Sequence, residues 1–224
     1  MTLIKKRVIM TIRNNRENLI LDLGNVLFCI DEPATYHALT ELMDPARCTG
    51  DWEEGFLKPH LRKYETGRIS TELFINGLLR FSNSDVHALD IIKAWNKMLL
   101  SLHPKALIFL EEIGRQYNLY LLSNINHLHY RGFERLLAPE LSLVQFENNF
   151  ENCYYSHLIH RRKPDVETYQ FVLNDAGISP AKTWFVDDKV ENVTGAQEAG
   201  LKTIHLHQPC DYSIVIAALG NLRS

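Results

Sequence analysis

Short apolar runs recur at Leu19–Leu23, Asn118–Leu122, Asn152–Tyr155, Thr183–Val186 and Lys202–Leu206, each ending in polar or turn-forming residues. Runs of this length predict strands. Between the last four lie amphipathic stretches, among them Arg131–Leu137, Val166–Ala176 and Val190–Ala199, with Gly177 and Gly200 positioned as helix stops. Pro104, followed by Leu107, Ile108, Leu110, Glu111 and Ile113, predicts a helix with proline at its first position. Strand and helix in alternation predict an α/β fold: a doubly wound, mostly parallel, Rossmann-like sheet with helices on both faces.

About 95 residues separate the first two strands, far more than a βαβ crossover of a dozen or more needs. The excess carries helical periodicity. Tyr36, Leu39, Leu42 and Met43 share one face, as do Leu73, Phe74, Leu78 and Leu79, and then Ile91, Ile92, Trp95, Met98 and Leu99. The spacing predicts an all-α, four-helix cap over residues 33–100, inserted into a core of residues 18–32 and 101–224. Trp52, Phe56, Tyr64 and Trp95 read as the apolar interior of that bundle, and residues 1–17 as an N-terminal extension.

Composition narrows the class. Apolar residues make up 46% and charged residues 23% of the 224, close to an ordinary globular protein. Of the 24 basic residues, Lys5, Lys6, Arg7, Arg13 and Arg16 lie in the extension, so the remainder is acidic and nucleic acid is a disfavoured partner. No run reaches the roughly 20 apolar residues of a membrane span. Cys29, Cys48, Cys153 and Cys210 stand apart with no CxxC pair, which specifies neither a disulfide framework nor zinc and fits a reducing cytoplasm. The pairs His127/His129, His157/His160 and His205/His207 lack further ligands at metal-site spacing.

In an open parallel sheet, ligands gather beyond the carboxyl ends of the strands. Asp22 follows the first expected strand, Ser123 and Asn124 the second, Lys163 lies beyond the third, and Asp187 with Asp188 ends the fourth. Each has a bland reading as a turn former or helix cap, with Arg161 and Arg162 merely solvated beside Lys163. Four such positions on successive strands point instead to one crevice. Converging carboxylates repel one another unless a cation lies between them, and hard oxygen ligands suit Mg²⁺. A lysine and a hydroxyl opposite that ion would hold a phosphoryl group, and Asp22 would attack phosphorus.

The runs Leu21-Asp22-Leu23-Gly24-Asn25-Val26-Leu27, Leu121-Leu122-Ser123-Asn124, Arg162-Lys163-Pro164-Asp165 and Phe185-Val186-Asp187-Asp188 resemble, in order, the four motifs of the haloacid dehalogenase-like hydrolase superfamily. The likeness covers roughly residues 18–208 and is to its phosphatases with a helical cap after the first motif. It implies that Asp22 is the nucleophile and that Lys163 steadies nucleophile and phosphate. Ser123 and Asn124 would bind the phosphoryl group, and Asp22, the Gly24 carbonyl, Asp187 and Asp188 would hold Mg²⁺. Residues 24–31 would form a turn and flap. The implied substrate is a small phosphorylated metabolite such as a sugar phosphate.

One position departs from the pattern. Gly24 stands where the resembling phosphatases place an aspartate that protonates the leaving group; Asp31, His37 and Glu65 are candidate stand-ins. Two rivals follow: a 2-haloacid dehalogenase, which would not need the Asp187-Asp188 pair for a metal, and a phosphate-binding protein of little or no turnover.

Overall fold

The five expected strands form one sheet. The structure, a computed structural model, describes residues 16–48, 57–137 and 141–220. In chain order the elements are β1 (Asn18–Leu21), β2 (Phe28–Ile30), α1 (Glu32–Leu42), α2 (Lys58–Glu65), α3 (Thr71–Leu79), α4 (Ala88–Trp95), β3 (Leu99–Leu102), α5 (Ala106–Gly114) and β4 (Asn118–Ser123). There follow α6 (His127–Leu137), α7 (Leu143–Glu147), β5 (Asn152–Tyr155), α8 (Ser156–Ile159), α9 (Val166–Ala176), β6 (Thr183–Asp187), α10 (Val190–Glu198), β7 (Lys202–His205) and α11 (Tyr212–Gly220). Strand order is β5-β4-β1-β6-β7, and every pairing is parallel.

Period-two alternation divides the sheet residues between two layers of core. Leu19, Leu21, Leu121 and Val186 pack on one face, whereas Ile20, Tyr120, Leu122 and Phe185 pack on the other. Helices cover both faces, so the strands are apolar throughout. Because the chain winds first to one side of β1 and then to the other, the carboxyl ends of β4, β1 and β6 border a single crevice.

Helices α1 to α4 gather around an apolar cluster of their own, including Leu39, Met43, Phe74, Leu78, Ile91 and Trp95. Phe74 stacks on Tyr64 with centroids 4.4 Å apart and meets Trp95 edge-on at 4.8 Å. Truncating such a buried phenylalanine to alanine costs about 3–5 kcal/mol. Trp52 and Phe56 lie outside the described residues, as does the extension up to residue 15.

Three boundaries differ from expectation. Leu99, placed by periodicity on a helical face, instead opens β3, which pairs antiparallel with β2 in a two-stranded ribbon. A three- or four-residue strand is too short to show a period; the ribbon forms because the chain leaves the core and returns to it at the same place. Pro104 precedes the helix rather than opening it, since α5 starts at Ala106. Glu17, assigned to the extension, belongs with the core: its carboxylate accepts from Trp184 Nε1 and Lys202 Nζ.

Candidate active site

Asp22 leaves the end of β1 with its N–H still bonded to the Val186 carbonyl at 3.0 Å, so the sheet aims its side chain into the crevice. Lys163, 1% exposed, stands between two carboxylates: its Nζ is 2.6 Å from Asp22 Oδ1 and 2.7 Å from Asp187 Oδ2. Burial alone would lower the Lys163 pKa, but Asp187 and Asp22 outweigh it and hold the ammonium charged. Asp187 Oδ1 accepts from the Lys189 backbone and from Asn192 Nδ2, both at 2.9 Å. Asp187 is therefore an anchor whose two oxygens are occupied by protein donors.

Asp188 is the freer carboxylate. Its Oδ2 accepts from Asn25 Nδ2 at 3.1 Å, and among the described residues nothing bonds its Oδ1. Asp22, Asp187 and Asp188 each present an oxygen within 4.8 Å of the others. One lysine does not neutralise three acids. Burial first, with Asp187 and Asp188 adding to it against the pull of Lys163, pushes the Asp22 carboxyl up to about 7. Burial likewise raises Asp188, Asn25 opposing. A hard divalent cation is what this donor set lacks, and Mg²⁺ fits it: two carboxylate oxygens remain available, and no described donor occupies the Gly24 carbonyl.

Ser123 ends β4 and lines the same cavity, of about 240 Å³, together with Asp22, Gly24, Lys163 and Asp188. Asn124 lines it too. Its Oδ1 accepts from the Lys163 N–H at 2.9 Å and its Nδ2 donates to the Lys163 carbonyl at 2.8 Å. Asn124 thereby clips the Lys163 backbone to the end of β4.

Sequence patterns alone did not single out several groups around the cavity. Asn25 adopts left-handed backbone, φ 54°, which lets its amide reach Asp188; an asparagine just after a glycine is a weak signal for this. Arg162 is not a free solvated charge. It faces Glu65 across the cavity wall. His129 is stacked on Trp95 at 5.1 Å, bonded to the Trp95 carbonyl and to Asn126, and burial lowers its pKa to about 4, which keeps it neutral. Of the candidate stand-in acids, Glu65 lines the cavity, whereas Asp31 caps α1 through the Ala34 N–H and His37 is exposed. Three other histidines serve structure: His157 and His160 bond the carbonyls of Ile125 and Thr66, and His205 that of Asp188.

Residues 132–206 match the family described as haloacid dehalogenase-like hydrolase. The D-ribitol-5-phosphate phosphatase of Bacteroides thetaiotaomicron is 23% identical over 206 residues, which are 88% of this chain and 94% of that protein. The drimenol cyclase drtB of Aspergillus calidoustus is 27% identical over 194 residues, 85% of this chain, but the chain spans only 34% of that relative. A crystal structure of a HAD family enzyme from B. thetaiotaomicron, in complex with magnesium and inorganic phosphate, superposes with a TM-score of 0.74 at 28% identity. The match covers 90% of this chain and 99% of that one.

Proposed function

We propose that this chain, a haloacid dehalogenase-like hydrolase by motif and fold, is a Mg²⁺-dependent phosphomonoesterase for a small phosphorylated metabolite. The observation that carries this is the placement of Asp22, half neutralised by Lys163 and facing Asp188 across an oxygen-lined gap. Asp22, the Gly24 carbonyl and Asp188 would hold the ion, with Asp187 fastening Lys163 beside them. Bound there, Mg²⁺ would neutralise charge on the phosphate and allow Asp22 to stay ionised near neutral pH.

Lys163, bonded to Oδ1, steadies the Asp22 carboxylate, which would ligate the ion through one oxygen and attack phosphorus through the other. That attack releases the alcohol and leaves an aspartyl-phosphate, which water then cleaves. Ser123 would hold a phosphoryl oxygen, and Lys163 would follow the charge as it moves to the equatorial oxygens. Helices α1, α2 and α4 act as a cap, lending Tyr36, Leu61 and Trp95 to the cavity wall around the leaving group. A sugar or sugar-alcohol phosphate is the substrate favoured by that wall, which also carries Glu32, Glu65 and Arg162.

A second reading, binding without efficient turnover, rests on Gly24. Missing general acid catalysis costs about 10²–10⁴-fold. Phosphate release from 4-nitrophenyl phosphate, whose leaving group needs no proton, decides between them when measured with Mg²⁺ and with EDTA for wild type and Asp22→Asn. Turnover that requires both Mg²⁺ and Asp22 is expected. Phosphate affinity without turnover would support the binding protein, and halide release from a 2-haloacid in EDTA a dehalogenase.

A further inference from the structure

Glu65 ends α2 and Arg162 immediately precedes Lys163, so the two meet where the helical insert faces the core. Arg162 Nε lies 3.0 Å from Glu65 Oε2, and both atoms are buried without a well-angled hydrogen bond. The side chains are 24% and 16% exposed, and both line the cavity that contains Asp22. Their backbones are pinned. Ser156 Oγ donates to the Glu65 carbonyl at 2.6 Å, and Thr168 Oγ1 donates to the Arg162 carbonyl at 2.7 Å.

This pair has spare capacity. A carboxylate accepts about four hydrogen bonds and a guanidinium donates five. Among the described residues, no group bonds Glu65 Oε1 or the terminal nitrogens of Arg162. An alcohol hydroxyl needs one acceptor and one donor side by side, which these two residues supply together. The neighbouring Glu32–Lys189 pair, on the same cavity wall, repeats the combination.

We propose that the Glu65–Arg162 pair is a hydroxyl clamp, which makes this site selective for phosphate esters of polyhydroxylated small molecules over esters of plain alkyl alcohols. The clamp rests on the phosphomonoesterase reading and adds the specificity-determining residues to it. A hydroxylated leaving group completes the bonds of both side chains. An alkyl chain of equal length leaves them desolvated and unpaired, a loss of roughly 10- to 100-fold for hydrogen bonds to charged groups. Burial, the larger influence, raises the Glu65 pKa against the pull of Arg162 and Lys189, so a clamp and a general acid at this position are told apart by kinetics on the two kinds of ester.

The test compares a five-carbon polyol phosphate with n-pentyl phosphate, both poor leaving groups, using the Mg²⁺-loaded full chain. Wild type is expected to favour the polyol ester at least about tenfold in kcat/KM. Glu65→Ala should collapse that ratio through a raised KM for the polyol ester, and the isosteric Glu65→Gln should keep part of it. Thermal melts of both variants verify folding. Equal turnover of the two esters by wild type overturns the clamp. So does a Glu65→Gln or Glu65→Ala protein that loses kcat equally on both, since that is the mark of a general acid. If no phosphate ester is hydrolysed, including 4-nitrophenyl phosphate, the phosphomonoesterase reading fails and the clamp falls with it.

Discussion

Asn25 donates its side-chain amide to Asp188 Oδ2 over 3.1 Å, from a backbone held at φ 54°. A turn residue of the first motif thereby sets the orientation of a carboxylate that follows β6, the strand paired with β1 in the sheet. Left-handed backbone costs most L residues about 1–2 kcal/mol and glycine nothing. Replacing Asn25 with alanine should therefore destabilise the fold by about 1 kcal/mol, and replacing it with glycine should not. Both variants lose the amide, so both should weaken Mg²⁺ binding by roughly tenfold or more. Isothermal titration with MgCl₂ reads this directly; a glycine variant that binds Mg²⁺ like wild type would remove Asn25 from the site.

Lys163 is buried between two acids, and removing one partner of a buried ionic cluster is costly. Lys163→Ala in EDTA at neutral pH is expected to lower stability by about 3–5 kcal/mol. Urea denaturation measures the loss, and Mg²⁺ should recover part of it by taking over the neutralising role. A midpoint that does not move would show that water, not lysine, compensates Asp22 and Asp187.

The raised pKa of Asp22 fixes the direction of a pH effect. In the ion-free protein the folded state binds this proton more tightly than the unfolded chain, so its stabilising contribution is complete below the unfolded pKa, near 4. It is lost as pH rises towards and through about 7. Mg²⁺ must displace the same proton, so its affinity should climb from pH 5.5 and level off above about 7. Melting temperatures across that range, in EDTA and in MgCl₂, should converge at low pH and separate at high pH. Parallel curves would mean that Asp22 does not ligate the ion.

Gly24 is packed against Ile30. A Cβ at position 24 would lie 2.9 Å from Ile30 Cδ1, the movable end of a side chain. Gly24→Ala should cost about 1–3 kcal/mol by overpacking, and Ile30→Val should relieve most of that in a double-mutant cycle measured by urea unfolding. Gly24→Asp made together with Ile30→Val is then the fair trial of a restored general acid, with up to 10²-fold faster hydrolysis of alkyl phosphates expected. Additive energies in the cycle would show that the two positions do not touch.

Local pattern was enough to determine the alternation of strands and helices, the large helical insertion, and the polar residues stationed at the ends of β1, β4 and β6. Strand and helix periods are written in neighbouring residues, and a parallel sheet delivers its strand ends to one edge, so no long-range information was needed. Only the tertiary structure decided which polar groups face one another. The β2–β3 ribbon, the commitment of Asn124 to the Lys163 backbone and the meeting of Glu65 with Arg162 all join residues far apart in the chain. Nothing in the residues flanking any of them announces the partner: hydrogen bonds and ion pairs of this kind depend on distances and angles that exist only after the sheet and its insert have packed.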